Sequence, residues 1–77
     1  MSELANNIKA LRAERQMTQQ ELARAVGVTR KTINTVENQV YVPSTVLALK
    51  IASVLGVSVE DVFELAEPLV VRPLPAH

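Results

Sequence analysis

The chain has 77 residues, 48% of them hydrophobic, and its eight basic and eight acidic side chains give a formal net charge of zero. This length suits one small domain rather than two. The absence of cysteine excludes disulfide bonds and thiolate metal sites, and no apolar run approaches the ~20 residues of a membrane span. The N-terminus has no secretory pattern, so we expect a cytoplasmic protein that does not contact a membrane.

The first predicted helix begins at Ser2 or Asn6 and precedes a short joint at residues 16–17. Arg12 and Arg15 lie near its end, where cations interact favourably with the helix dipole. Its apolar stripe recurs at helical spacing and consists of Leu4, Ile8 and Leu11.

The stretch from Thr18 to Glu37 predicts two short helices joined by a tight turn. Thr18, followed three residues later by Glu21, has the pattern of a capping box. Gly27 stands where the chain leaves the first of these helices, and Thr29 is the expected N-cap of the second. The inward faces are apolar and consist of Leu22, Ala23, Val26, Ile33 and Val36.

The outer face of the second helix of this pair is polar and carries Arg30, Lys31, Asn34 and Thr35. Arginine can donate two hydrogen bonds to the major-groove edge of guanine, and asparagine can pair bidentately with adenine. A short helix with such residues near its start suits a major groove about 12 Å wide. The alternative interpretation is a solvated helix face that happens to carry two cations.

Two further helices are predicted after a loop that runs to Pro43. Ser44 is the expected N-cap of the fourth helix and Gly56 ends it, while Ser58 and Asp61 have the capping-box pattern for the fifth. The fourth helix is apolar on nearly all sides, which predicts that it is the buried centre of the domain. Its apolar residues are Val46, Leu47, Leu49, Ile51, Ala52 and Leu55, and the inward residues expected of the fifth helix are Val59, Val62, Phe63 and Leu65.

Pro68 ends the helical pattern and is followed by an apolar run of Leu69, Val70 and Val71. These side chains are too apolar for a solvated tail, and the prolines around them disfavour a helix. We expect a short strand that pairs across a dimer axis, which would cover its apolar edge. The alternatives are packing on its own domain and disorder near the terminus.

The motif Q-x-E-L-A-x-x-x-G-V-[ST]-x-x-T-I-x-x-x-E-N is present from Gln19 to Asn38 and resembles the lambda-repressor/Cro-like, or XRE-type, helix-turn-helix family. The resemblance extends over residues 6–65. It implies an all-α fold, a compact five-helix DNA-binding domain at residues 1–66, with a short extended segment at residues 67–77. It also implies that the third helix, Arg30–Asn38, reads bases in the major groove.

The resemblance further implies roles for individual residues. Gln19 would hold a phosphate, the loop residues Asn38 and Tyr41 would follow the DNA backbone, and Arg12 and Glu37 would form a structural ion pair. The remaining expected contacts are Arg30, Lys31 and Asn34 to bases, and Thr29, Thr32 and Thr35 to phosphates or thymine methyl groups. For four of these residues a plainer role stays open: a solvated side chain at Gln19, a cap only at Thr29, phosphate contact only at Lys31, and packing on the core edge at Tyr41.

The chain departs from the family pattern after the recognition helix. Relatives often have glycine and then lysine after Glu-Asn, whereas this chain has Gln39 and Val40. We therefore expect one cation fewer at the DNA backbone, and the usual left-handed turn is in question at this position.

The charge distribution agrees with a DNA-facing part. Residues 1–50 carry seven basic and four acidic side chains, a net charge of +3, and residues 51–77 carry one and four, a net charge of −3. The field at a surface depends on this local distribution rather than on the sum.

These features predict a sequence-specific regulator that binds double-stranded DNA, most simply a repressor that acts as a homodimer on an inverted repeat. The alternative is an antitoxin or protein-interaction module whose C-terminal segment binds a protein partner. Catalysis is not expected, because the single histidine is the terminal His77 and no cysteine nucleophile or glycine-rich phosphate loop is present. No cofactor or metal is expected.

Overall fold

The computed structural model describes residues 3–67 and residue 69. Five helices and two short strands follow one another along the chain as β1 (Leu4–Asn6), α1 (Ile8–Glu14), α2 (Gln19–Val26), α3 (Arg30–Glu37), α4 (Thr45–Leu55), α5 (Val59–Val62) and β2 (Phe63–Leu65). The prediction of a five-helix domain is confirmed, with a small sheet added to it. Within the described part of the chain, no helix is long and apolar enough to cross a membrane.

Helix α2 begins with the predicted capping box. The Glu21 backbone N–H donates to Thr18 Oγ1 at 3.0 Å, and the Thr18 backbone N–H donates to Glu21 Oε1 at 2.9 Å. The hydrogen bond from the Thr18 backbone N–H is also the main reason why the pKa of Glu21 lies below its ordinary value, because it favours the ionised carboxylate. A second capping box joins Ser58 and Asp61 at the start of α5.

The other predicted helix boundaries are also set by local residues. The side chains of Thr29 and Ser44 cap α3 and α4 at their N-termini. Gly27 and Gly56 end α2 and α4 in the left-handed conformation, with φ of 80° and 73°. Such a conformation is nearly free of steric cost only for glycine, which explains why these two residues end the helices.

The N-terminal segment is a strand, where the sequence predicted the start of a helix. β1 pairs antiparallel with β2, with Leu4 opposite Leu65 and Asn6 opposite Phe63. Helix α1 therefore begins only at Ile8, and Ser2 lies outside the described residues. A three-residue strand is too short to show a period of two, so its formation depends on the partner strand at the other end of the domain.

The fifth helix is shorter than predicted. It ends at Val62 because the chain becomes extended at Phe63, with φ −121° and ψ 143°, and the Val62 carbonyl accepts a hydrogen bond from the Asn7 backbone N–H at 2.8 Å. Leu65, expected to point inward, lies on β2 and is 52% exposed. Pairing with β1 has replaced the last predicted helical turn.

The core is aliphatic apart from Phe63 and draws on every helix. Helix α4 contributes one face only, because Val46 and Leu49 on this helix are 61% and 56% exposed. The prediction that α4 is the buried centre of the domain therefore holds for this face and is wrong for Val46 and Leu49. The buried hydrophobic residues are Ile8, Leu22, Ala23, Val26, Ile33, Val36, Leu47, Ile51, Ala52, Leu55, Val62 and Phe63.

The left-handed turn after α3 is present without glycine. Gln39 has φ of 62°, and the Val40 and Tyr41 backbone N–H groups both donate to the Thr35 carbonyl, at 2.9 and 3.2 Å. The turn is thus held by hydrogen bonds to the end of α3. A non-glycine residue in this conformation costs on the order of 1 kcal/mol.

Replacing Gln39 with glycine should relieve this cost. We expect Gln39→Gly to raise the free energy of unfolding by up to about 1 kcal/mol, the steric relief being partly offset by the extra entropy of glycine in the unfolded chain. Urea denaturation followed by circular dichroism measures the change. Gln39→Ala is the control, because it removes the same side chain and keeps the Cβ atom; equal stability of the two variants would contradict the prediction.

Candidate nucleic-acid interface

Helix α3 exposes its polar face because its apolar face is held in the core. Ile33 and Val36 are buried, and Arg30, Lys31 and Asn34 on the outer side are exposed. Within the described residues, the side chains of Arg30 and Lys31 form no ion pair and no hydrogen bond with the protein. Two cations are thus available on this face to a ligand with negative charge.

The three threonines of this region are partly engaged by the helix itself. Thr29 Oγ1 accepts a hydrogen bond from the Thr32 backbone N–H at 3.2 Å and lies 3.0 Å from Thr32 Oγ1. Thr35 Oγ1 donates to the Thr32 carbonyl at 2.8 Å. Thr35 therefore offers its methyl group and an acceptor oxygen more readily than a hydroxyl donor.

Arg12 and Glu37 form a bidentate ion pair at the C-terminal end of α3. Arg12 Nε lies 2.7 Å from Glu37 Oε2 and Nη2 lies 3.0 Å from Oε1, and the two side chains are only 13% and 5% exposed. Arg12 Nη1 also donates to the Met17 carbonyl at 2.9 Å. One guanidinium thereby connects α1, the joint before α2 and the end of α3.

Gln19 and Asn34 connect this ion pair to the exposed face. Gln19 Nε2 lies 3.2 Å from both Glu37 Oε1 and Asn34 Oδ1, and Asn38 Nδ2 lies 3.2 Å from the same Asn34 oxygen. A continuous chain of hydrogen bonds therefore runs from Arg12 to Asn38. We call these five residues, Arg12, Glu37, Gln19, Asn34 and Asn38, the polar relay.

The polar relay limits what the Gln19 side chain can offer to DNA. Both N–H groups of its amide are used inside the protein, and the remaining Oε1 is an acceptor. A phosphate accepts hydrogen bonds, so a side-chain contact from Gln19 to phosphate requires that one of these bonds be broken. The first backbone N–H groups of α2 have no partner within the helix and remain suited to an anion.

Asn6, which the sequence suggested only as a possible start of the first helix, contacts the C-terminal end of α3. Its Nδ2 donates to the Val36 carbonyl at 3.0 Å, at the C-terminal end of α3, while its Oδ1 accepts the Ile8 backbone N–H at 3.2 Å. Asn6 thus ties the start of α1 to the end of α3. Nothing local in the sequence signals this contact, because the two partners are 30 residues apart.

The position of Tyr41 is compatible with both roles that the sequence left open, contact with the DNA backbone and packing on the edge of the core. Its side chain is 47% exposed, and it lines a shallow groove with Lys31, Thr35 and Val40 on one side. It also lines a second groove next to Val26. Tyr41 therefore lies beside α3 between these two grooves, with about half of its surface accessible.

The predicted dimer contact is described only in part. Leu69 is 71% exposed. Val70 and Val71 lie outside the described residues. In the part of the chain that the structure describes, no group of histidine, aspartate or glutamate side chains could hold a metal ion.

Residues 8–62, which contain the α2–turn–α3 unit and the polar relay, match a family model described as helix-turn-helix. The chain belongs to the XRE-type helix-turn-helix family. Relatives of similar sequence are named as HTH-type transcriptional regulators, and the chain is accordingly a DNA-binding helix-turn-helix regulator.

Individual relatives of this regulator cover most of its length. The uncharacterized HTH-type transcriptional regulator YgzD of Bacillus subtilis (strain 168) is 45% identical over 64 residues, which are 83% of this chain and 97% of the relative. An uncharacterized HTH-type transcriptional regulator of Archaeoglobus fulgidus is 48% identical over 60 residues, 78% of this chain and 84% of the relative.

A solved structure of a similar protein includes DNA. SinR, the master regulator for biofilm formation, was crystallised in complex with DNA; its structure superposes with a TM-score of 0.64 at 33% identity, covering 69% of this chain and 86% of that chain. The similarity supports the fold assignment independently of the sequence motif.

Proposed function

We propose that this regulator binds double-stranded DNA sequence-specifically by inserting α3 into the major groove, as a homodimer on an inverted repeat, and that it represses transcription by occupying its site. The observation that carries the proposal is the exposed face of α3, where Arg30, Lys31 and Asn34 stand together on a helix whose other face is fixed in the core.

The dimensions of α3 suit this role. Its eight residues span about 12 Å along the axis, and an α-helix with its side chains is about as wide as the major groove. Arg30 at the first helical position and Asn34 one turn later would reach base edges. The first two backbone N–H groups of α2, the Asn38 side chain and the Tyr41 hydroxyl would contact phosphates on either side.

Exposed apolar side chains at the C-terminal end of the domain support a dimer. Leu65 and Leu69 are exposed apolar side chains close together in sequence at the C-terminal end of the domain, and covering them is favourable. A second copy related by two-fold symmetry would place another α3 one helical turn of DNA away, about 34 Å. Occupancy of such a site within a promoter would block transcription.

Selection of binding sites from a randomised duplex library at physiological salt tests the proposal. We expect an inverted repeat whose half-site centres are about one helical turn apart. The purified protein should also have the mass of a dimer by light scattering. Enrichment of no motif, combined with binding that disappears as salt is raised, would show that only unspecific phosphate attraction is present.

A protein-binding module is a second candidate, on a surface other than the C-terminal segment expected from the sequence, because α4 and the loop before it expose apolar side chains. Val46 and Leu49 lie one turn apart on α4, and Val40 and Val42 in the loop are exposed as well. In this case a fixed partner protein would co-purify with the chain in stoichiometric amount. Charged substitutions at Val46 and Leu49 would abolish that association and leave DNA selection unchanged.

A further inference from the structure

We infer that Glu37 sets the direction of every hydrogen bond in the polar relay, so that Asn34 offers only donors to a base and selects guanine rather than adenine. This inference rests on the proposed function, since it concerns how α3 reads DNA. It changes two of the expectations from sequence: Asn34 pairs with a different base, and Gln19 acts as a positioning residue.

The direction originates at the ion pair. A carboxylate only accepts hydrogen bonds, and Arg12 holds that of Glu37 with two donors, at 2.7 and 3.0 Å. The group of Gln19 that lies 3.2 Å from Glu37 Oε1 must therefore be its NH₂ group and not its carbonyl oxygen. An amide can take two orientations, and the adjacent carboxylate selects one of them.

The selected orientation then fixes Asn34. The same Gln19 NH₂ group lies 3.2 Å from the Asn34 side chain, which must present its oxygen to receive a donor. Asn38 Nδ2 donates to this oxygen as well, also at 3.2 Å. Because a carbonyl oxygen has two lone pairs, the acceptor capacity of the Asn34 side chain is filled inside the protein. Its NH₂ group, with two donors, is left for the ligand.

An Asn34 side chain that offers only donors should prefer guanine to adenine, because the two bases differ at their major-groove edges. Guanine presents two acceptors, N7 and O6, in the major groove, whereas adenine presents the acceptor N7 and the donor N6–H₂. Bidentate pairing of asparagine with adenine needs a free acceptor, which Asn34 lacks while the relay is intact. Two donors without an acceptor are complementary to guanine. Gln19 thus influences base choice without contacting a base.

Removing Gln19 should release Asn34. In a Gln19→Ala variant the link to Glu37 is lost, the Asn34 and Asn38 amides can turn over together, and adenine becomes an acceptable partner for Asn34. The first step identifies the position in the half-site that Asn34 reads. At this position, base substitutions change the affinity of wild type but not the affinity of Asn34→Ala. Affinities of wild type and Gln19→Ala are then measured for duplexes with guanine or adenine at that position.

We expect wild type to favour guanine over adenine by roughly tenfold and Gln19→Ala to lose most of this preference. Gln20→Ala is the matched control, because it removes the same side chain from the next, exposed position of α2 and should keep the preference. Asn34→Asp keeps the acceptor for Gln19 and Asn38 but has no donor, so its preference for guanine should also be lost. Circular dichroism verifies that each variant is folded.

Three results would overturn the inference and leave the proposed function intact. The first is a preference for adenine at the position read by Asn34, and the second is wild-type binding that does not change when guanine at this position is replaced by 7-deazaguanine. The third is an equal weakening of binding to both duplexes by Gln19→Ala, which is the result expected for a phosphate contact. Failure to select any motif would instead remove the proposed function, and the inference with it.

Discussion

Removal of the Arg12 guanidinium should lower the free energy of unfolding by about 3 kcal/mol, the largest effect that we expect from any single polar side chain of the domain. Arg12→Ala leaves the Glu37 carboxylate, which is only 5% exposed, without its charged partner. An ionised group that stays buried after its partner is lost typically destabilises a protein by several kcal/mol. The Met17 carbonyl loses a donor at the same time.

Equilibrium urea denaturation measures this change, and Arg24→Ala is its control. Arg24 is an exposed arginine on α2, and its replacement should alter stability by less than about 0.5 kcal/mol. The double variant Arg12→Met/Glu37→Met should be clearly more stable than Arg12→Ala, because no charge is then left buried. If Arg12→Ala proved as stable as Arg24→Ala, the ion pair would be a surface contact of little value.

Replacing Arg30 with alanine should weaken binding to the selected operator by about 1–3 kcal/mol, the range for one bidentate contact with guanine. The loss should be specific, so that discrimination among bases disappears at one position of each half-site. Arg30 is suited to such a contact because it is exposed, lies at the first position of α3, and forms no ion pair within the described residues.

Lys31→Ala is the matched variant for this prediction, since it removes one cation from the next residue. Lys31 lines the groove beside Tyr41, in the region proposed to follow the DNA backbone, so we expect a contact to phosphate. Its loss should weaken cognate and random duplexes by similar factors and reduce the salt dependence of binding by about one phosphate contact. Fluorescence anisotropy at several salt concentrations distinguishes the two patterns; identical behaviour of both variants would contradict the assignment of Arg30.

The sequence alone determined the helix boundaries that depend on neighbouring residues. Thr18 with Glu21 and Ser58 with Asp61 are capping boxes because their partners are three residues apart, and Gly27 ends α2 because only glycine adopts its conformation without cost. The exposed face of α3 was also predictable from nearby residues, because polar and apolar side chains that follow the helical period of 3.6 residues lie on opposite sides of the helix.

Only the tertiary structure decided the features whose partners are far apart in the chain. The strand at β1 exists because β2 lies beside it, and β2 in turn shortens α5. Val46 and Leu49 are exposed because a helix on the surface of a small core can bury one face only. Neither result is visible in a local pattern of hydrophobic residues.

The polar relay shows the same division within the binding face. The sequence indicated which side chains lie on the outer face of α3, because that depends on helical spacing. Which atoms they offer is set by Glu37 and Gln19, 18 residues apart in the chain and joined by a hydrogen bond of 3.2 Å. Residue types thus identified the surface, and the direction of the hydrogen bonds, which depends on distant partners, required the folded structure.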